Sequence, residues 1–467
     1  MPDSPLTLAD LSGHRVVIVG TGREGTALGK YLRASPPQWV GALDGHEGDS
    51  ATAWRHEFGD SIPLWTIDSE TEGLPPEILS ASVAVVSPGI AVTSRLHELL
   101  RESGLIITSG SALFVAEHAD HLVGVTGSKG KSTTSTLTHH LLSHAGFASG
   151  LGGNMGIPLV GLETHPHYVV ELSSYQCHYL TRSPRVCVLT ALFPEHLDWH
   201  GSESAYYGSK LNLIANAPEI VIANSTDDIL KGEVTRRFPD QRVVWVGDGE
   251  PWRVGEHEGR TWLLTPGGPV IPADELPLLG SHNHTNALMA LVAAHYASGL
   301  EPSLLAEGFR SFRPLPHRLE PISDPSGVVF VNDSLATNPH AAAAALRALG
   351  SNVVLVIGGM DRGVDYQVLM DQIVTTRPKA VLGVPESGAR LIALLTQTLS
   401  SHGGAPGMVV ESTDSIEDAV RRSREIAQPG DYVLLSPAAP SFGRYRDYAE
   451  RAEDFLFSIE KTRRDTP

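Results

Sequence analysis

The strongest chemical signal in the chain is a glycine-rich loop with two lysines, Thr126-Gly127-Ser128-Lys129-Gly130-Lys131-Ser132-Thr133. Glycines let backbone N–H groups approach a phosphate closely. Lys131 adds positive charge, and Ser132 or Thr133 offers a hydroxyl to Mg2+. An apolar run at 122–125 precedes the loop and a helical pattern follows from Ser135. This strand–loop–helix setting is the one a phosphate loop requires. Its spacing departs from the general pattern, because Val125 stands where the first glycine would be.

A second glycine turn, Gly20-Thr-Gly22-Arg23-Glu24-Gly25, follows the apolar run 15–19, and Asp44 follows another at 39–43. This is dinucleotide spacing. It suits a nicotinamide-dependent dehydrogenase, a site for some other nucleotide's phosphates, or a tight turn that packs helix on strand. Glu171-Leu-Ser173-Ser-Tyr-Gln176 follows the run 168–170. A carboxylate at a strand's C-terminal end sits over the crevice of an α/β sheet and can ligate Mg2+. Pro194-Glu-His-Leu-Asp-Trp-His200 gathers Glu195, His196 and Asp198 in one loop. A lone loop histidine reads as solvated, and the chain has 21 histidines, so position alone decides nothing. Lys210, on the expected helix 203–215, by itself reads as a solvated helix lysine. Three further polar loops, at 331–338, 358–363 and 436–441, each follow an apolar run and together suggest a substrate crevice.

The elements that must hold these loops are short Val/Ile-rich runs alternating with longer helical stretches. Runs such as 83–86, 186–189, 220–222, 353–357 and 432–435 are too short for helices and read as buried parallel strands. The alternation predicts an α/β protein with crossover helices. Three segments separate, at 1–119, 120–315 and 316–467. Pro314 and Pro316 suit a stiff hinge between the last two. The Gly-, Trp- and charge-rich stretch 247–268 reads as hairpins or loops.

Bulk properties narrow the function. At 467 residues the chain exceeds one ordinary core. Lys and Arg number 35 against 53 Asp and Glu, a formal charge of −18, with no basic patch, which argues against a nucleic-acid partner. Two cysteines, Cys177 and Cys187, make neither a metal cluster nor a disulfide framework, so a reducing compartment is expected. The first residues lack a signal-peptide pattern and no apolar run suggests a membrane span, so a cytoplasmic protein that does not engage a membrane is expected.

Taken in order, these motifs resemble the Mur ligases, and within them the branch that adds glutamate to UDP-N-acetylmuramoyl-L-alanine. The likeness covers nearly the whole chain. It is carried by 126–133, Gly153-Asn154-Met-Gly156, 171–176, 195–198, Lys210, His282-Asn283-His-Thr-Asn286, Leu315-Pro-His-Arg318, 332–338 and 436–441, with Gly20–Gly25 and Ser87-Pro-Gly-Ile90 at the N-terminal end. The resemblance implies three domains: a Rossmann-like first domain for the UDP substrate, a central P-loop ATPase-type domain, and a Rossmann-like third domain for the amino acid.

It implies that Gly127, Ser128, Lys129, Gly130, Lys131, Ser132 and Thr133 hold ATP, with Asn283 and Asn286 near the adenine and Arg318 and Asp333 on the nucleotide. It implies that Ser132, Glu171, His196 and a carbamylated Lys210 hold Mg2+. Gly22, Arg23, Glu24, Asp44, Ser87, Asn154 and Ser173 would meet the UDP substrate. Thr337, Arg362, Ser441, Phe442 and Tyr448 would line the glutamate pocket. Lys131, Glu171, His196 and Lys210 would carry catalysis through an acyl-phosphate, with the third domain closing to exclude water.

Two positions depart from the pattern. Leu335 and Arg362 stand where glutamate-adding relatives carry lysine, and Asp361-Arg-Gly-Val-Asp365 is similar to a divergent branch that attaches L-glutamate, whose product a separate epimerase inverts. A folylpolyglutamate synthase-like ligase and a nicotinamide-dependent dehydrogenase are the alternatives. The first does not need a separate N-terminal nucleotide-like domain. The second leaves the phosphate loop unexplained.

Overall fold

The computed structural model describes residues 5–313, 316–361 and 363–464; Arg362, Pro314 and Leu315 lie outside the described residues. Strands buried on both faces need unbroken apolar sequence, and this decides where the strands fall. The first sheet contains β1 (Arg15–Val19), β2 (Trp39–Asp44), β3 (Leu64–Thr66), β4 (Val83–Val86) and β5 (Ile106–Thr108) in the order β3-β2-β1-β4-β5, all parallel. Val16, Ile18, Val83 and Val85 enter one core, while Val17, Val19, Ala84 and Val86 enter another on the opposite face. Each fully buried Val or Ile stabilises by roughly 1.5–3 kcal/mol relative to exposure, so a polar residue in β1 would unsettle a whole layer.

The second sheet contains β6 (Leu122–Thr126), β7 (Ser149–Gly153), β8 (His167–Glu171), β9 (Val186–Leu189), β10 (Ile220–Asn224) and β11 (Val243–Val246), in the order β11-β10-β9-β6-β8-β7, again parallel. The stretch read as hairpins is an antiparallel sheet of β12 (Arg253–His257), β13 (Arg260–Thr265) and β14 (Gly268–Pro272). The last sheet contains β15 (Glu320–Ser323), β16 (Val329–Asn332), β17 (Val353–Ile357), β18 (Ala380–Gly383), β19 (Val409–Ser412) and β20 (Tyr432–Leu435), in the order β15-β16-β20-β17-β18-β19. Only β15 runs antiparallel there among the described residues. The expected α/β architecture with parallel sheets is therefore present.

The chain packs as two compact units, Met1–Leu276 with His284–Phe312, and Pro277–Asn283 with Arg313–Pro467. The first two sheets share one unit because one apolar cluster runs through both, from Ile18 and Val85 to Tyr168 and Val170. Phe114 and Tyr168 meet edge to face at 5.1 Å within it.

Two helices differ from the sequence reading. The helix expected from Ser135 is Lys131–His144, because its first turn, Lys-Ser-Thr-Thr, has no apolar residue to mark a buried face. The helix expected over 203–215 is Glu203–Leu211, followed by a 3-10 turn at Asn212–Ile214. No described helix is long and apolar enough to cross a membrane.

Candidate active site

The glycine loop after β6 is built against the end of β9. Gly127 has φ +151°, and a side chain there would lie 2.0 Å from Thr190 Oγ1, so the position admits only glycine. Ser128 N donates to Ala191 O at 2.7 Å, and Ser128 Oγ donates to Phe193 O at 2.8 Å and meets the Tyr206 hydroxyl at 2.9 Å. Gly130, left-handed, starts the helix Lys131–His144. The first turn of that helix carries half-buried Ser132 and Thr133, and the N-terminal end of a helix, with its positive dipole end, suits an anion. Lys131 Nζ donates to Gly127 O at 2.8 Å and Ser128 O at 3.2 Å, so the amine lies over the loop's own carbonyls. Lys129 pairs with Glu195 at 2.8 Å, and Asn286 lies against Gly130.

Glu171, Lys210 and His196 surround this loop. Glu171 is 2% exposed; its Oε1 accepts from Asn154 Nδ2 at 2.8 Å, while Oε2 has no hydrogen-bond partner. A buried carboxylate oxygen with no protein partner is open to a cation or a water. Lys210 is 3% exposed and donates to Gly127 O at 2.7 Å. Burial, then the Lys131 charge, brings its pKa down to about 7. Near neutral pH a large share of this buried amine is uncharged, unlike a solvated surface lysine. His196 has φ 55° at the start of Leu197–His200 and faces Tyr175 at 5.1 Å between ring centroids. Desolvation, then Lys210 and Lys131, hold its imidazole below the usual range, which favours the neutral, ligating form. No three His, Cys, Asp or Glu side chains among the described residues gather as a metal cage.

The N-terminal turn faces the same unit. Its two flanks, after β1 and β4, lie where the strand order reverses, and Ser87 Oγ donates to Gly20 O at 3.0 Å across that point. Gly22 precedes the helix Arg23–Ala34, and Arg23 Nη1 reaches Gly156 O at 3.2 Å. A small, partly open crevice lies there beside Glu24, Ser87 and Ser111. Glu24 is turned inward: Gln176 Nε2 donates to it at 2.8 Å, and burial raises its carboxyl above the ordinary range. The other end of the Gln176 amide accepts from Ser173 N at 2.9 Å and completes a capping box on Ser174–His178. Asp44 accepts from Thr21 N at 2.8 Å, Thr21 Oγ1 at 2.5 Å and Gly45 N at 2.8 Å. The acid that a dinucleotide site would offer to a ribose is thus bonded into its own turn.

In the second unit the polar loops after β16 and β20 are tied together by a buried guanidinium that the sequence did not mark. Arg451 is 1% exposed and donates to Ser334 Oγ at 3.0 Å, Ser334 O at 2.8 Å and Ala439 O at 2.9 Å. A side chain at Gly359 would lie 2.9 Å from its Nη1. Ser441 is buried, Thr337 and Leu335 are half-buried, and Phe442 and Tyr448 are exposed; Tyr448 O accepts from Ser334 Oγ at 2.8 Å. Asn283 donates to Leu279 O at 2.7 Å. Arg362 lies outside the described residues.

Asp333 is buried, accepting from Ser436 Oγ at 2.7 Å and Leu319 N at 3.2 Å, with Arg318 close enough to bias it. Burial outweighs these contacts and raises its pKa to about 7. The native state therefore holds a proton that the unfolded chain releases, and this stability is lost as pH rises from about 4 towards 7. Asp333→Asn is expected to raise stability by roughly 1–3 kcal/mol at pH 8, with the gain shrinking towards pH 5. Chemical denaturation at both pH values checks this; a gain that grows on acidification contradicts it.

Sites at the carboxyl ends of the parallel strands of three sheets, one of them a phosphate loop, define a nucleotide-using α/β enzyme. Comparison narrows this class. The family profile described as "Mur ligase middle domain" matches residues 125–294, and that described as "Mur ligase, glutamate ligase domain" matches 317–439. The UDP-N-acetylmuramoyl-L-alanine--L-glutamate ligase of a Micromonospora species is 42% identical, covering 98% of this chain and 99% of its own. The Salinispora tropica protein of the same name is 41% identical, covering 98% and 100%. A Thermotoga maritima MurF ligase solved in complex with ADP shares the fold at 16% identity, with TM-score 0.54 over the full length of both chains. The chain belongs to the Mur ligase family, whose members are ATP-dependent ligases that form amide bonds.

Arg451 left no signal in the sequence, since one arginine in the helix Tyr448–Arg464 reads as surface charge. Gln176 did leave one: Ser173-Ser-Tyr-Gln176 has capping-box spacing.

Proposed function

We propose that this enzyme joins L-glutamate to UDP-N-acetylmuramoyl-L-alanine with ATP, in peptidoglycan precursor synthesis in the cytoplasm, and that a separate epimerase inverts the new residue. The observation that carries this reading is full-length likeness, at over 40% identity, to relatives named for that reaction. In this reading residues 1–119 take the UDP substrate, 120–315 take ATP, and 316–467 take the amino acid.

The residues fit a divalent cation. Glu171 Oε2 is an orphaned buried acceptor, His196 is biased to neutrality, and Ser132 stands on the first helical turn. Bound there, Mg2+ would supply charge neutralisation at the phosphate oxygens. Carbamylation of Lys210 would give the site a further oxygen donor.

The chemistry then follows from the chain's own groups. The substrate's carboxylate attacks the γ-phosphorus and ADP leaves with the electrons of the broken P–O bond. Lys131 and the N–H groups of 127–133 hold the transferring charge; Asn286 lies beside them at Gly130 and orients the nucleotide. The amine of glutamate attacks the acyl carbon, loses a proton, and phosphate departs. Arg23, Ser87, Asn154 and Ser173 meet the UDP substrate in this reading. Glu24, which lines the crevice, accepts from Gln176 with its carboxyl raised by burial, so less negative charge faces the anionic ligand.

Glutamate of the two hands presents the amine identically only if α-carboxylate and side chain exchange places. A pocket of changed hand must move its cation, and Leu335 offers none where a carboxylate would need one. A higher kcat/KM for L-glutamate than for D-glutamate is expected, with discrimination of up to ~10⁴-fold. Kinetics with each enantiomer measures it; preference for D-glutamate refutes the assignment of hand.

A further inference from the structure

The second unit has a small, partly open crevice at the carboxyl ends of β17, β18 and β20. Ser441, Gly359, Val384 and Ile416 line it, with Glu386 and Arg444 bringing opposite charges. Three other described arginines of this unit are engaged elsewhere. Arg390 pairs with Asp361 at 2.5 Å, Arg446 with Glu450 at 3.3 Å, and Arg451 is bonded to Ser334 and Ala439. Arg444 is exposed and makes no hydrogen bond or ion pair with any described residue, Glu386 included. A guanidinium and a carboxylate that share one small crevice without bridging it suit a zwitterion.

What separates glutamate from neutral amino acids is its distal carboxylate, which needs a cation in reach. Leu335 carries none. Arginine's planar fork matches a carboxylate in two-point contact. The apolar walls at Val384 and Ile416 suit two methylenes, and Glu386 suits an α-ammonium.

We propose that Arg444 determines amino-acid specificity, its guanidinium clamping the side-chain carboxylate of the incoming glutamate while Glu386 faces the ammonium. This deepens the glutamate-ligase reading and rests on it. The test is steady-state kinetics of the full-length enzyme with ATP, UDP-N-acetylmuramoyl-L-alanine and either L-glutamate or L-glutamine. Arg444→Met is expected to raise KM for L-glutamate roughly 10- to 100-fold, to shrink the preference over glutamine by a similar factor, and to leave KM for ATP unchanged. Arg444→Lys recovers part of the loss through its point charge. Glu386→Gln leaves the glutamate-to-glutamine ratio as in wild type, since both amino acids carry the ammonium. Wild-type turnover with an unaltered ratio in Arg444→Met overturns the proposal alone, as does transfer of the effect to Arg362→Met. Wild-type enzyme that releases no phosphate with L-glutamate overturns the underlying reading as well.

Discussion

Lys131→Ala is expected to lower substrate-dependent phosphate release by about 10³-fold or more while the protein stays folded. The amine lies 2.8 Å from Gly127 O and 3.2 Å from Ser128 O, above the helix whose first turn opens the anion site. Two contacts of a half-buried amine to loop carbonyls contribute roughly 1–3 kcal/mol to stability. Charge aimed at a transferring phosphoryl group in a water-poor site is worth more, because the loop's other lysine, Lys129, is paired with Glu195. Phosphate release and a thermal melt on the same sample separate the two effects. Near-normal turnover contradicts the phosphate-loop assignment, and an unfolded variant directs the comparison to Lys131→Met, which keeps the aliphatic stem.

Lys210→Ala is expected to be inactive and to regain part of its activity with formate or acetate. Burial first, and Lys131 second, place the Lys210 pKa near 7, so above that pH most of the amine is neutral. A neutral amine attacks CO2; an N–C bond forms, a proton leaves, and the side chain changes from cation to anion. The new carboxylate would stand beside Glu171 and His196, where a small added acid could stand in for it. Wild-type activity should therefore fall in CO2-free buffer, and fall further at pH 6 than at pH 8, since protonation below about 7 blocks the attack. Indifference to both CO2 and added acids would leave Lys210 as the structural donor to Gly127 O.

The sequence was most informative where local chemistry and local structure coincide. Strands such as β1 and β17 were legible because the middle of a parallel strand covered on both faces excludes polar residues, leaving an apolar run. The glycine loop was legible because its backbone geometry excludes side chains, as the contact between Gly127 and Thr190 makes plain. Long-range relations were not. Nothing near Lys210 in sequence announces that it lies against Gly127, 83 residues earlier. Asp44 and Glu24 have the types and spacing of ligand contacts, yet one is bonded into its turn and the other faces Gln176, 152 residues away. Burial of a polar side chain is a property of its partners, and those partners are set by topology.

Arg451 has a consequence for how such a site can change over generations. Its guanidinium ties the loop at Ser334 to the loop at Ala439, and Gly359 of the third loop passes close to it. The loops at Ser334 and Ala439 thus share one anchor, with Gly359 leaving little room beside it, so a shift in one bears on the others. Substitutions at Leu335, Gly359 and Ser441 should then behave non-additively in combination, with coupling of about 0.5–3 kcal/mol, whereas changes beyond the anchor's reach should simply add. New amino-acid preferences are accordingly easier to reach by exchanging the side chains these loops display than by redrawing their paths.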